Sequence, residues 1–198
     1  MSSSRLRSHW RLSSTFDPSG RLASAFTTGA GVNEEREVLT WSDFGTGVRQ
    51  LAQMITKSGY QPDIILGIAR GGLIPAGSLG YALSVKNTYV INVEYYTDVD
   101  ERLEVPTILP PYLELVDLEQ SDVLVVDDVA DTGHTLRMVH EFVVGKVATA
   151  RTAVLYEKPR SVIKSDYVWR RTSRWINFPW SSEVPVALPK HGKAVSDA

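Results

Sequence analysis

Residues 123–136 read VLVVDDVADTGHTL, and no other stretch restricts the fold of this chain as much. Four consecutive apolar residues, Val123 to Val126, stop at two adjacent carboxylates, Asp127 and Asp128. An apolar run without polar alternation predicts a strand buried on both faces. A short turn, Asp131-Thr132-Gly133-His134-Thr135, leads from it into "LRMVHEFVVGKV", whose apolar residues fall at helical spacing. The same order recurs in "PDIILGIARGGLIPAGSLGYAL": an apolar strand, a glycine-rich turn and a second apolar helix. Repeated strand-loop-helix units argue for a mainly parallel sheet covered by helices on both faces. In such sheets ligands gather at the carboxyl ends of the strands, where both glycine loops fall.

The remaining segments fit around these two units. "EVLTWSDFGTGVRQLAQMITKSGY" predicts a short strand from Glu37, then a helix capped by Ser42 or Asp43. Phe44, Val48, Leu51, Ala52 and Ile55 share one face of that helix, which stops near Ser58 and Gly59. "SVKNTYVINVEYY" and "TARTAVLYEKP" predict two more strands. Residues 97–120 are polar, contain proline and show no period, as expected of an exposed excursion or a lid. From Asp166 the chain turns aromatic and irregular, with Arg170, Arg171 and Arg174 expected to face solvent and Trp180 to serve as packing.

One domain is expected over 37–185, between a disordered leader at 1–36 and a tail at 186–198. The first 28 residues carry Arg5, Arg7, Arg11 and Arg21 against a single acid, Asp17, a composition that an organelle transit peptide would also have. A formal charge of -2 provides no global basic field, so nucleic acid is not an expected partner. The absence of cysteine excludes disulfides, a thiolate nucleophile and Cys-ligated zinc, and fits a reducing, cytoplasmic setting. No apolar run approaches the roughly 18 to 20 residues that cross a bilayer, so no membrane partner is expected either.

The chemistry concentrates at the two strand exits. Adjacent carboxylates there can grip two neighbouring hydroxyls, and the Asp131 to Thr135 turn can cradle a phosphate with successive amides and the helix N-terminus. Vicinal hydroxyls beside a phosphate describe a ribose 5-phosphate. Three other readings compete: a solvated acidic turn capping a helix, a Mg²⁺-holding aspartate pair of the Walker-B type, and a dinucleotide site. The chain lacks the G-x-x-x-x-G-K-[ST] partner of the second, and "GIARGGLIPAG" misses the G-x-G-x-x-G register of the third.

"VVDDVADTGHT" resembles the 5-phosphoribosyl-1-pyrophosphate (PRPP) signature of type I phosphoribosyltransferases, and "LGIARGGLIPAGSLGYAL" is similar to the first loop of that family. The resemblance runs from about Glu37 to Trp180 and lies with the bacterial xanthine-guanine and hypoxanthine members. It implies a type I phosphoribosyltransferase fold with a small base-recognition hood, and transfer of phosphoribose from PRPP to N9 of a 6-oxopurine in purine salvage. It also implies Mg²⁺ as cofactor and a homodimer or homotetramer.

By the same resemblance Asp127 and Asp128 hold the ribose hydroxyls, directly or through Mg²⁺. Asp131, Thr132, Gly133, His134 and Thr135 surround the 5-phosphate, and Asp131 lies near N7 of the purine. His134 stands where relatives often carry Gly or Lys, which is of little consequence if its main-chain N–H makes the contact. Arg70-Gly71 matches the pyrophosphate-binding dipeptide, a place where relatives have an unusual cis peptide. Lys158 matches the lysine that meets the 6-oxo group, Trp175 the indole that stacks on the base, and Ile176 the residue whose main chain reads the 2-position. The chain departs from the family pattern at Tyr95-Tyr96, where a Ser-Tyr pair is common, and in the length of 97–120. Arg102 matches no motif. A PRPP- or nucleotide-sensing regulator on the same fold, or transfer to another base, are the alternative readings.

Overall fold

The computed structural model describes residues 36–96, 102–109 and 118–187. Its elements, in chain order, are β1 (Glu37–Val38), α1 (Trp41–Lys57), β2 (Ile64–Ala69), α2 (Leu73–Leu83), β3 (Asn87–Tyr96), β4 (Arg102–Leu109), β5 (Asp122–Ala130), α3 (His134–Val143), β6 (Thr149–Glu157), β7 (Tyr167–Arg171) and β8 (Ile176–Asn177). Six strands form the main sheet in the order β4-β3-β2-β5-β6-β7, and β1 pairs with β8 in a separate two-stranded sheet. All pairings in the main sheet are parallel except that of β4 with β3.

The apolar runs explain the layering. Successive side chains of a strand point to opposite faces, so each continuous run feeds two cores. Ile65, Leu124, Val126, Ala153 and Leu155 pack with Phe44, Val48, Leu51 and Ile55 of α1 and with Ala76 and Leu79 of α2. Ile64, Leu66, Ile68, Val123, Val125 and Val154 pack with Leu136, Val139 and Val143 of α3 on the other face. Burying one such side chain contributes about 1.5–3 kcal/mol, so the three central strands dominate the stability of the domain.

The strand order also fixes where a ligand can enter. From β2 the chain moves outward to β3, then returns to β5 on the opposite side of β2, pairing Ile64 with Val123 and Gly67 with Val126. The order of strands therefore reverses between β2 and β5, and the crevice beyond their carboxyl ends is the place where open α/β sheets bind ligands. The two glycine loops flank that crevice.

Several expectations need correction. The cap of α1 is Thr40: its Oγ1 accepts from the Asp43 amide at 3.1 Å and donates to Asp43 Oδ2 at 2.7 Å. Asp43 thus answers the cap from the third helical position instead of being the cap. The interval 97–120 contains strand β4, while 97–101 and 110–117, the body of the expected lid, lie outside the described residues. The aromatic segment after Asp166 holds two strands, and β7 extends the main sheet because Tyr167 and Trp169 pack against the α1 side of the core. Helix α3 starts at His134, two residues before the first apolar position. Residues 1–35 and 188–198, with nearly all of the expected leader and tail, also lie outside the described residues. Among the described residues no helix is long and apolar enough to cross a membrane.

Glu157 carries a stability prediction. Its side chain, only 1% exposed, takes the Ser165 amide on Oε2 at 2.8 Å and the Arg171 Nε on Oε1 at 3.1 Å, with Lys164 Nζ at 3.8 Å. Arg171, which faces solvent as expected, therefore also pairs with Glu157. Burial works to raise the pKa of Glu157, but the Ser165 amide and Arg171 outweigh it and hold the carboxyl below its ordinary value. Its contribution is thus complete above the ordinary glutamate pKa and is lost as pH falls through the depressed folded value. Glu157→Ala should destabilise the fold by about 2 kcal/mol at pH 7, since it strands the amide while its cationic partners are largely solvated. The difference from the parent chain should shrink in denaturant titrations at about pH 3.

Candidate active site

Beyond β2 the backbone turns through a cis peptide between Ala69 and Arg70. The resemblance pointed to such a bond in the Arg70-Gly71 dipeptide; it lies one bond earlier, entering Arg70. Gly71 and Gly72 follow, and neither needs a left-handed φ. Their requirement is space. A Cβ on Gly71 would fall on the Asp128 carboxylate, and one on Gly72 would meet the carbonyl oxygens of Ile68 and Val126 at 2.5 Å. The first loop therefore lies directly against the acidic end of β5.

Asp127 and Asp128 are both half-buried. The Asp128 amide donates to Asp127 Oδ1 at 2.9 Å, and the two carboxyls stand close enough to act on one another although strand alternation would separate them. Burial, reinforced by the neighbouring Asp128 charge, pushes the Asp127 carboxyl well above its usual range. Burial likewise lifts Asp128 to about 6, against the lowering effect of nearby amides, Asp127 and the Trp180 indole N–H. Trp180 does pack, stacking on Phe178 with ring centroids 4.9 Å apart, and its indole N–H also lies near enough to Asp128 to lower its pKa. Two like charges held together out of water favour a cation or a set of hydroxyl donors between them.

The donor set suits Mg²⁺, which takes oxygen ligands and is commonly bound by one or two carboxylates plus substrate phosphates and water. Among the described residues no group of three or more His, Asp or Glu side chains comes together. The pair can thus supply only part of an octahedral shell, leaving the rest to substrate and solvent.

The turn after β5 is shaped by Gly133, whose φ of +78° is left-handed and which caps α3. A Cβ there would collide with Ser161 Oγ and with Ile163. The Val162 amide donates to the Thr132 carbonyl at 2.9 Å, so the 160–163 segment buttresses the turn from behind. Thr132 and His134 are exposed, Thr135 is half-buried, and the first amides of α3 have no intrahelical acceptor. Arg70 is exposed at the mouth of the first loop.

Lys158 brings a third element to the site. Its amide donates to the Ala130 carbonyl at 3.0 Å, tying it to the end of β5. Its buried ammonium lies 3.4 Å from Asp131 Oδ1 and 5.3 Å from the centroid of the Trp175 ring. Trp175, 37% exposed, keeps a ring surface open to solvent. The Glu37 amide donates to the Trp175 carbonyl at 2.8 Å and the Leu39 amide to the Asn177 carbonyl at 3.0 Å. Because hydrogen bonding alternates sides along a strand, the main-chain groups of Ile176 face the other edge of β8. Residues at the start of the domain thereby fix the segment that bears Trp175 and Ile176.

Arg160, passed over in the sequence, joins the group. Its guanidinium grips both oxygens of Asp131, Nε on Oδ1 at 2.9 Å and Nη2 on Oδ2. Burial works to raise the Asp131 pKa, but Arg160 and Lys158 outweigh it and lower the carboxyl below its ordinary value. The only trace in the sequence is a second cation two residues beyond Lys158, across a proline. Trp180 and Ser161 were also missed as site residues, since an indole in an aromatic segment and a serine in a turn carry no chemical signature of their own.

The phosphoribosyl transferase domain family matches residues 35–186, three quarters of the chain and all of these site residues. The chain belongs to the phosphoribosyltransferase family. Among curated relatives, a xanthine-guanine phosphoribosyltransferase from Nitratidesulfovibrio vulgaris is 30% identical over 153 residues, covering 76% of this chain and 88% of that one. A purine phosphoribosyltransferase from Pyrococcus horikoshii superposes with a TM-score of 0.65 at 37% identity, covering 78% of this phosphoribosyltransferase and 99% of that chain. The Helicobacter pylori xanthine-guanine-hypoxanthine phosphoribosyltransferase, at 21% identity and a TM-score of 0.64, shares the fold, over 74% of this chain and 94% of its own.

Proposed function

We propose that this phosphoribosyltransferase joins a 6-oxopurine to the 5-phosphoribosyl group of PRPP and releases pyrophosphate, as a purine salvage enzyme. The observation that carries the reading is the convergence of Lys158, Trp175 and Asp131, an ammonium between a carboxylate and an open indole. An exocyclic carbonyl pairs with the ammonium, the ring of the base stacks on Trp175, and N7–H points to Asp131. The main-chain edge at Ile176, turned away from β1, reads the 2-position.

The phosphate turn, from Asp131 to Thr135, takes the 5-phosphate on its amides, with the hydroxyls of Thr132 and Thr135 as further donors. Asp127 and Asp128 take the ribose hydroxyls and would hold Mg²⁺, which supplies positive charge to the departing pyrophosphate. Arg70 and the amides of the first loop stabilise the same leaving group. The C1′–oxygen bond breaks as N9 donates its electron pair to C1′, through a transition state with oxocarbenium character. The proton left on N7 passes to Asp131. No protein nucleophile is needed, because positioning and charge stabilisation carry the reaction.

The test is pyrophosphate release from PRPP with Mg²⁺ and, separately, guanine, hypoxanthine, xanthine, adenine, uracil and orotate. Turnover is expected with one or more of the first three. Silence with all six, despite binding of PRPP, would replace the enzymatic reading by that of a PRPP sensor.

A further inference from the structure

Arg160 lies in no motif, yet its guanidinium fork closes on both oxygens of the Asp131 carboxylate. The segment that bears it is fixed on both sides. The Lys158 amide bonds to Ala130, the Ser161 amide closes a turn on the Lys158 carbonyl at 3.0 Å, and the Val162 amide reaches Thr132. Ser161 Oγ donates to the Ile163 carbonyl at 2.7 Å and rests against Gly133. The stem of Arg160 is thus anchored to the very loop that carries Asp131, although its side chain is 60% exposed.

An ionised carboxylate offers about four lone-pair positions. The Arg160 fork takes one on each oxygen, and Lys158 takes the second on Oδ1. Among the described residues one position remains, on Oδ2. Planar bidentate pairing also fixes the plane of the carboxylate, which a point charge does not. Resting on the purine reading above, we propose that Arg160 is the positioning residue of the reaction: it holds Asp131 ionised and turned so that its last acceptor position, on Oδ2, meets the base N7–H. Lys158 cannot do both tasks, because its ammonium must also serve the base. Lys158 and Arg160 are the charges that bear on Asp131, both from the loop between β6 and β7.

The experiment compares the parent enzyme with Arg160→Gln and Arg160→Lys. Steady-state kinetics are run across pH, and the Asp131 carboxyl is titrated by ¹³C NMR without substrate. Arg160→Gln should lower kcat by about 10- to 100-fold, as expected for a misplaced reacting group, with KM for PRPP unchanged. It should also move the Asp131 titration, and the acid limb of kcat/KM for the base, to higher pH. Arg160→Lys should bring the titration back toward the parent value without restoring kcat, since it returns charge but not the fork. A parental kcat in either variant overturns the proposal, as does an unmoved Asp131 titration in Arg160→Gln. The titration reads the pairing without turnover, so a parent chain inactive on every base would sink the purine reading and leave the Arg160 result separately legible.

Discussion

Asp128→Asn should lower kcat/KM for PRPP by about 100- to 1,000-fold while leaving the unliganded fold at least as stable as the parent. A metal clamp on a departing phosphoryl or pyrophosphoryl group supplies several kcal/mol, and each 1.36 kcal/mol is a factor of ten in rate. Asn keeps the size of the side chain and can still accept from neighbouring amides and from the Trp180 indole. What it removes is charge, and the charge of Asp128 is disfavoured where it stands: burial raises its pKa, and Asp127 lies beside it. Such a carboxylate is held in place for a ligand and not for the fold. Asp127→Asn should fall in the same range, and the double substitution should cost little more than either alone, because both act on one bound group. The measurements are steady-state kinetics at varied PRPP and thermal melts without ligand. A variant with parental kcat/KM would remove the pair from the reaction; a variant that melts far below the parent would make the pair a structural feature.

What could be read from the sequence divides along physical lines. Strands β2 and β5 were legible because an apolar run without alternation has few other uses, and both faces of each run are indeed buried. The two strand-exit loops were legible because glycines and acids interrupt those runs at the same point of the repeated unit. Strand β4 was hidden because an antiparallel edge strand beside β3 has no second sheet neighbour to demand a fully apolar sequence. Strand β7 was hidden by its composition: "YVWRR" ends in two arginines whose partners, Glu37 and Glu157, come from distant parts of the chain. The same distance limit explains the site residues that were missed. Arg160 acquires its role from the turn that folds it onto Asp131, and Trp180 from the packing of Phe178, Trp41 and Phe44, which carries its indole to Asp128. Motif spacing identifies groups that act through local backbone geometry. It is silent on groups that act through a contact made across the fold.

Gly71→Ala and Gly72→Ala should differ in kind although they alter adjacent residues. The atoms nearest to a Cβ on Gly72 are backbone: the carbonyl oxygens of Ile68 and Val126 at 2.5 Å and the Ile68 nitrogen at 2.9 Å. These belong to the two central strands, whose ladders cannot shift without disturbing both cores, so overpacking there should destabilise the domain by about 3 kcal/mol. The atoms nearest to a Cβ on Gly71 all belong to the Asp128 carboxylate, the end of a side chain that can rotate away. Gly71→Ala should therefore cost about 1 kcal/mol or less in stability, the range of a surface change, and yet lower kcat/KM for PRPP about as far as Asp128→Asn. Since both substitutions act by withdrawing the same carboxylate, Gly71→Ala combined with Asp128→Asn should be no worse than Asp128→Asn alone, a non-additivity that a double-mutant cycle measures directly. Full additivity would mean that the first loop and the acidic pair contribute independently. Equal destabilisation by both glycine substitutions would mean that Gly71, like Gly72, is required by the backbone and not by the site.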